Sequence, residues 1–320
     1  MDKIACRICH HSQEGNTYTV KEMQLGLRED FNYLLCSSCG CMQLLDIPTD
    51  LSAYYPNNNY YSFNAGNKLV RTDLLRKIRT AYLLYGKHRI GGAALSTGYK
   101  KPEYLEWVKM PSVQFEDRIL DVGAGSGQLL IDLHKNGFSN LSGIDPFLET
   151  DLDYGTIKIR KQDIFSLEGV YDYIMLHHVF EHMNHPLQVL QQLYKLLKPG
   201  KFLLIRTPVM GMYGWKNYGT DWVGLDAPRH LFIHSIDGMK RLAAEAGFET
   251  RKIVFDSGPY HLWASEQYKN DIPLMDARSY MVNRKNAGFT KADMQRFDDI
   301  ARCTNEEGEG DQAAFYLFKH

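Results

Sequence analysis

Three clusters in this chain pair residue types with spacings that can do chemistry. The first is thiol. Cys6-x-x-Cys9 and Cys36-x-x-Cys39, with Cys41 close behind, put five of the six cysteines in the first 41 residues. In a reducing cytosol two C-x-x-C knuckles read as a tetrahedral structural zinc site rather than disulfides, because each tight turn aims two thiolates at one point. The 26 residues between the knuckles exceed the usual gap, so Tyr18–Leu35 is expected to form its own hairpin. His10, His11 and Cys41 are substitute ligands; the simplest set is Cys6, Cys9, Cys36 and Cys39. Cys303, in a polar helix far away, reads as an ordinary thiol.

The second cluster runs Ile119-Leu-Asp121-Val-Gly123-Ala124-Gly125-Ser-Gly127-Gln128, a buried strand entering a glycine turn that opens a helix. Glycines there tolerate φ > 0 and let bare backbone approach a nucleoside. Asp145 ends the next apolar strand, 22 residues past Gly123, close to the spacing at which a carboxylate meets ribose hydroxyls. A dinucleotide turn wants a small residue where Gln128 stands, which disfavours a nicotinamide oxidoreductase.

The third cluster is His177-His178-Val-Phe-Glu181-His182 at the end of a fourth strand, joined by Asp226-Ala-Pro-Arg229-His230 in a later loop. Histidine is the side chain best suited to proton transfer near neutrality, so His178, His182 and His230 are the candidate bases. Glu181 either orients a ring or caps the following helix. His230 either contacts substrate or is a hydrogen-bonded structural residue. Arg229 either grips a phosphate or carboxylate or makes a surface ion pair. Trp215, Trp222 and Asp226 share a loop read as a lid over the substrate.

These clusters need elements to position them. Apolar periodicity predicts helices over 68–85 and 102–108 ahead of the glycine turn. After it come a helix over 128–136 stopped by Gly137, strands at 140–144, 157–159 and 171–176, and a helix over 186–197. A strand at 201–205, a helix over 235–246, and strands at 250–255 and 312–318 complete the pattern. The alternation predicts an α/β fold, a Rossmann-like seven-stranded mostly parallel sheet with helices on both faces, plus a small N-terminal zinc-ribbon-like module. The expected divisions are 1–47 for the zinc module, 48–112 for linker and capping helices, and 113–320 for the α/β domain. The Tyr- and Asn-rich stretch 48–63 is either packed coil or a flap over a substrate. Residues 265–311 read as an insertion with a polar helix over 290–303 and a solvated acidic turn at 306–311.

At 320 residues, 44% hydrophobic and 23% charged, the chain can build a substantial core. Its net charge of −1 supports neither a nucleic-acid nor an anionic-membrane partner. No apolar run reaches the roughly 18 residues that span a bilayer, and the start lacks a signal-peptide core, so a cytoplasmic location is expected. Oligomeric state is left open.

Taken in order, Asp121-x-Gly-x-Gly-x-Gly127, Gly143-Ile-Asp145-Pro146, Asp163-Ile164, Tyr171-Asp-Tyr-Ile followed by Glu181-His182, and Leu197-Lys-Pro-Gly-Lys201 resemble class I S-adenosylmethionine (SAM) methyltransferases from about Phe115 onward. Glu181-His182 with the later Pro228-Arg229-His230 is similar to the ubiquinone-type branch. The added cysteine module resembles bacterial nucleotide-sugar C-methyltransferases. The resemblance implies SAM as cofactor. Asp121, Gly123, Ala124, Gly125 and Gly127 would line its methionine part, and Asp145, with Pro146 beside it, its ribose. Asp163 and Ile164 would hold the adenine, and His177 would flank the cofactor. It implies methyl transfer to an O or C atom of a small molecule, possibly a sugar or glycan precursor. The alternative is a zinc-ribbon interaction protein whose core binds SAM without catalysis.

Overall fold

The computed structural model describes residues 3–13, 16–55, 71–285 and 288–320, so the second half of the stretch read as coil or flap, 56–63, lies outside the described residues. Strands β1 (Ile4–Ala5) and β2 (Ser12–Gln13) flank the first knuckle. Strands β3 (Thr17–Lys21), β4 (Asp30–Leu35) and β5 (Met42–Leu44) form an antiparallel meander. The expected hairpin between the knuckles is β3–β4, with Tyr18 opposite Tyr33. Helix α1 (Leu74–Tyr85) starts where the Asp73 carboxylate accepts from Leu75 and Arg76 N–H and stops at left-handed Gly86. Helices α2 (Arg89–Ser96) and α3 (Tyr104–Lys109) follow.

The α/β part runs β6 (Arg118–Val122), α4 (Gln128–Lys135), β7 (Asn140–Ile144), β8 (Leu152–Asp153), β9 (Lys158–Arg160), β10 (Tyr171–His177), α5 (Pro186–Leu196), β11 (Leu197–Pro208) and α6 (Tyr213–Tyr218). It continues with β12 (Phe232–Ile233), α7 (Ile236–Glu245), β13 (Glu249–Phe255), α8 (Tyr260–Lys269), α9 (Lys291–Glu307) and β14 (Gln312–Lys319). The main sheet has the order β13-β14-β11-β10-β6-β7-β9-β8. These are the seven expected strands plus the two-residue edge strand β8, too short to show a period. Strand β14 runs antiparallel to both neighbours, and the five strands from β11 to β9 are parallel. The chain winds outward from β6 through β7 and β9, then returns to lay β10 on the other side of β6. Ligands of open α/β sheets bind at such a reversal, outside the carboxyl ends of the strands.

Side chains alternate across the sheet. Leu120, Val122, Ile174, Leu176, Leu203 and Ile205 face one way, onto Val189, Leu190 and Leu193 of α5 and Met239 and Leu242 of α7. Ile119, Tyr173, Met175 and Leu204 face the other way, onto Leu105 and Val108 of α3 and Leu130 and Leu133 of α4. Helices therefore cover both faces, and each fully buried aliphatic side chain contributes about 1.5–3 kcal/mol.

The cysteine module does not close on itself. Its four-stranded sheet, β12-β5-β4-β3, takes β12 from beyond β11 in the α/β part. The 265–311 region adds backbone bonds from Leu274 and Met275 N–H to the Met23 and Gln24 carbonyls, both 2.9 Å. Three expectations change. The stretch 306–311 is not a solvated turn: α9 extends to Glu307, and Asp311 is buried, accepting from Gly214 N–H. The Trp222 loop is a packed wall rather than a lid, since Trp222, Val223, Leu225 and Ala227 are all buried. Helix α8 is an element that the reading of 265–311 as an insertion passes over.

Candidate active site

The glycine turn takes the shape its composition requires. Gly123 (φ 74°) and Gly127 (φ 78°) are left-handed, and a Cβ at either would overlap the Val179 methyls or the Ile159 side chain. The turn also spends its own donors. Gly123 and Ala124 N–H both reach the Ile144 carbonyl (2.8 and 3.1 Å), Gly127 N–H reaches Ala124 O (2.8 Å), and Gly125 N–H donates to Asp145 Oδ2 (2.9 Å). This loop presents carboxylates and bare backbone rather than a cradle of free N–H groups for a pyrophosphate, which suits a cationic ligand.

Asp121 and Asp145 stand side by side at the ends of β6 and β7, 4% and 7% exposed. Burial, with Asp145 nearby, pushes the Asp121 carboxyl up to about 8. Burial also raises Asp145, against the pull of the Phe147 and Gly125 N–H groups it accepts. Pro146 is exposed beside them. Asp163 is exposed and caps a single helical turn through Phe165 N–H (2.8 Å), while Ile164 is packed into the core behind it. His177, at the end of β10, lies against the Trp107 ring, centroids 4.3 Å apart. Both its ring nitrogens are buried with no hydrogen-bond partner among the described residues, and burial holds it neutral. Glycines whose Cβ space is closed, twin carboxylates and an unpartnered imidazole at one strand-end crevice fit a cofactor carrying ribose hydroxyls and a positive charge.

Next to the crevice, Glu181 is fully buried, accepts from Thr207 Oγ1 at 3.0 Å, and caps no helix. Its setting is the ring-orienting one. Burial works to raise its carboxyl, but His178, His230 and His182 around it reverse this and hold it well below the usual range. His178 is committed: Nε2 accepts from Arg206 at 2.9 Å, leaving its Nδ1 3.5 Å from Glu181 Oε1. His182 and His230 each hold a backbone carbonyl through Nδ1, Arg229 O at 2.8 Å and Gly224 O at 2.9 Å, so each keeps Nε2 for other work. Their rings meet edge to face, centroids 4.7 Å apart. Arg229 makes no surface pair and faces no open site. It is completely buried, with Asp226 at 2.6 and 3.0 Å, Glu22 at 3.0 Å and the Tyr54 carbonyl at 3.2 Å.

Sequence reading passes over Trp107, Thr207, Arg206 and Asp256. Arg206 joins Asp256 at 2.7 Å and lies over the Trp107 ring, but it enters the site through sheet register, which no local motif encodes. Tyr55 falls within the aromatic stretch noted above; its hydroxyl lies 3.3 Å from His182 Nδ1 and its ring stacks on Phe147.

The four paired cysteines converge as expected. Cys6 and Cys39 sulfurs lie 3.7 Å apart, Cys9 and Cys36 sulfurs 3.6 Å apart, and all four sit within 4.8 Å of one another. Zinc–sulfur bonds of about 2.3 Å in a tetrahedron would separate sulfurs by about 3.8 Å. Cys41 instead contacts Ser235, and Cys303 is exposed.

A doubly wound sheet with this crevice at its reversal point defines a SAM-dependent methyltransferase. Residues 76–253, more than half of the chain, match the methyltransferase domain family, and the chain belongs to it. A 41-residue stretch is 42% identical to EEF1A lysine methyltransferase 2 of Danio rerio, covering 13% of this chain and 18% of that protein, less than a fifth of the relative's length. Among solved structures the fold is similar to geranyl diphosphate C-methyltransferase from Streptomyces coelicolor A3(2), at 14% identity and TM-score 0.47 over 84% of this chain and 96% of that one. It is also similar to a mycolic acid cyclopropane synthase complexed with S-adenosylhomocysteine, at 13% identity and TM-score 0.45 over 74% and 88%.

Proposed function

We propose that the enzyme methylates an oxygen or carbon atom of a small hydroxyl-rich molecule of the sugar or glycan-precursor class, and that Cys6, Cys9, Cys36 and Cys39 hold a structural zinc. The observation that carries the acceptor class is the polar wall beside His177. There an indole face, Trp107, meets a fixed guanidinium, Arg206, the carboxylates Asp256 and Glu103, and His178. Aromatic faces rimmed by oriented donors and acceptors suit hydroxyl-rich ligands.

SAM supplies an electrophilic methyl group and leaves as S-adenosylhomocysteine. Asp145 would accept from the ribose hydroxyls, Asp121 would face the cationic methionine end, and Asp163 with Ile164 would border the adenine. The chain's remaining task is alignment of the acceptor and removal of its proton, toward the Glu181, His182 and His230 group. Residues 1–47 would act as the zinc module and 113–320 as the catalytic domain. A zinc–thiolate module suits a reducing, cytoplasmic compartment.

The test is incubation with methyl-labelled SAM, a panel of nucleotide sugars, and lysine-containing peptides, read by mass spectrometry. Label in a nucleotide sugar is expected. Label in peptide alone refutes the acceptor class, and no SAM binding by calorimetry refutes the cofactor reading.

A further inference from the structure

The Glu181, His182 and His230 side chains are each tied down from behind and gather at one point. A backbone carbonyl can only accept, so the Arg229 and Gly224 carbonyls keep the proton of each imidazole on Nδ1 and leave Nε2 as a bare acceptor. Glu181 has one oxygen on Thr207; the other, Oε1, is fully buried and makes no hydrogen bond among the described residues, with His178 Nδ1 3.5 Å away on one side. His230 Nε2 lies 3.9 Å from that oxygen and 3.8 Å from Asp226 Oδ2. One donor atom from each of Glu181, His182 and His230 falls within 4.8 Å of the others. An imidazole acceptor such as His230 Nε2 facing a buried carboxylate oxygen is costly unless something positive lies between them.

We propose that Glu181, His182 and His230 bind a divalent transition-metal ion, a second metal site separate from the cysteine cluster. Two imidazole nitrogens and one carboxylate favour zinc or a neighbouring first-row ion over magnesium or calcium. Bonds of about 2.1 Å on each side span donor separations up to about 4.2 Å, which covers the gap from His230 to Glu181. Carbonyls that orient the far nitrogen of each imidazole, and a hydroxyl on the far carboxylate oxygen, are the outer-shell contacts that metal ligands use. Three protein ligands leave coordination positions open. An acceptor hydroxyl taken up there would lose its proton more readily, which selects acceptors whose methylated atom is an oxygen that can ligate. That last step rests on the methyl-transfer reading; ion binding does not.

The rival occupant is a proton, held by His230 as an imidazolium against Glu181. Metal counting separates the two. The full-length chain is stripped with chelator, reloaded with zinc, desalted and analysed by inductively coupled plasma mass spectrometry. About two ions per chain are expected for the native sequence and about one for Glu181→Gln, for His182→Asn and for Cys36→Ser. One ion in the native chain, lost only in Cys36→Ser, overturns the proposal, as do two ions in both Glu181→Gln and His182→Asn. Circular dichroism on each variant guards against loss through unfolding, and His182, partly exposed, is the substitution that spares the core. Two ions with no methyl transfer to any acceptor would leave the site standing and remove the function instead.

Discussion

Replacing Asp121 with asparagine should make the cofactor-free protein more stable while weakening its grip on SAM. Asp121 is 4% exposed, and burial with Asp145 nearby raises it from 3.8 to about 8. A carboxyl raised in the folded state favours folding while protonated, and that advantage is lost as pH climbs from its unfolded value toward its folded one. Each pH unit in that window removes about 1.4 kcal/mol, so between pH 5 and 8 the native chain should lose up to about 4 kcal/mol that Asp121→Asn does not lose. Relaxation around the charge would bring this nearer to about 2 kcal/mol. The assay is urea unfolding of both proteins at several pH values from 5 to 8. Asp311, buried and raised to about 7, adds a pH dependence of the same sign, but it cancels in the difference between the two proteins. A difference that stays constant across the window would show that Asp121 is charged throughout and refute the reasoning. The same carboxyl should release up to about one proton when cationic SAM binds at pH 7, because a nearby positive charge favours its ionised form. Calorimetry in two buffers of different ionisation enthalpy measures that release, and Asp121→Asn should abolish it.

Three further outcomes follow from the geometry. Gly127→Ala places a Cβ on the Ile159 side chain at φ 78°; a strain of about 1–2 kcal/mol should be visible in thermal melts, with at least a tenfold loss of SAM affinity by calorimetry. Glu22→Gln removes one charged partner of the fully buried Arg229 and should cost about 3 kcal/mol in chemical denaturation, whereas a cost under about 0.5 kcal/mol would mean that Asp226 suffices alone. Chelation of the cysteine cluster should expose the Phe232 and Ile233 amides to hydrogen exchange as well as those of residues 30–44, since β12 pairs with β5; exchange confined to the knuckles would separate the module from the catalytic domain.

The crevice proposed for the cofactor was legible as a place in the fold because its parts are local. Gly123, Gly125 and Gly127 lie within one turn, Asp145 ends the adjacent strand, and Cys6 to Cys39 pair through short knuckles, so residue type and spacing carry the information. The wall beside the histidines was not. Arg206 faces His178 because β10 and β11 lie in register, and Glu22 reaches Arg229 across 207 residues of chain. Such contacts leave no period or motif. The acidic stretch 306–311 misled for the same reason: its composition suggests solvent, whereas Asp311 is buried by the Gly214 N–H it accepts from a distant helix.

That division has a structural cause. The glycine turn is braced by Ile144 and Asp145 of the next strand, so the α/β part builds the proposed cofactor crevice from its own residues. His230, by contrast, is held from the cysteine side. The Tyr33 hydroxyl donates to the His230 carbonyl at 2.9 Å, Glu22 anchors Arg229 beside it, and Phe232 pairs with Gln43 two residues further on. A methyltransferase sheet with its own cofactor turn but a borrowed wall should keep SAM binding when the cysteine cluster is emptied and lose transfer first. The two activities therefore separate experimentally in Cys36→Ser, which empties the cysteine cluster alone: equal loss of both would mean that the module holds up the whole domain rather than the side of the site that carries His230.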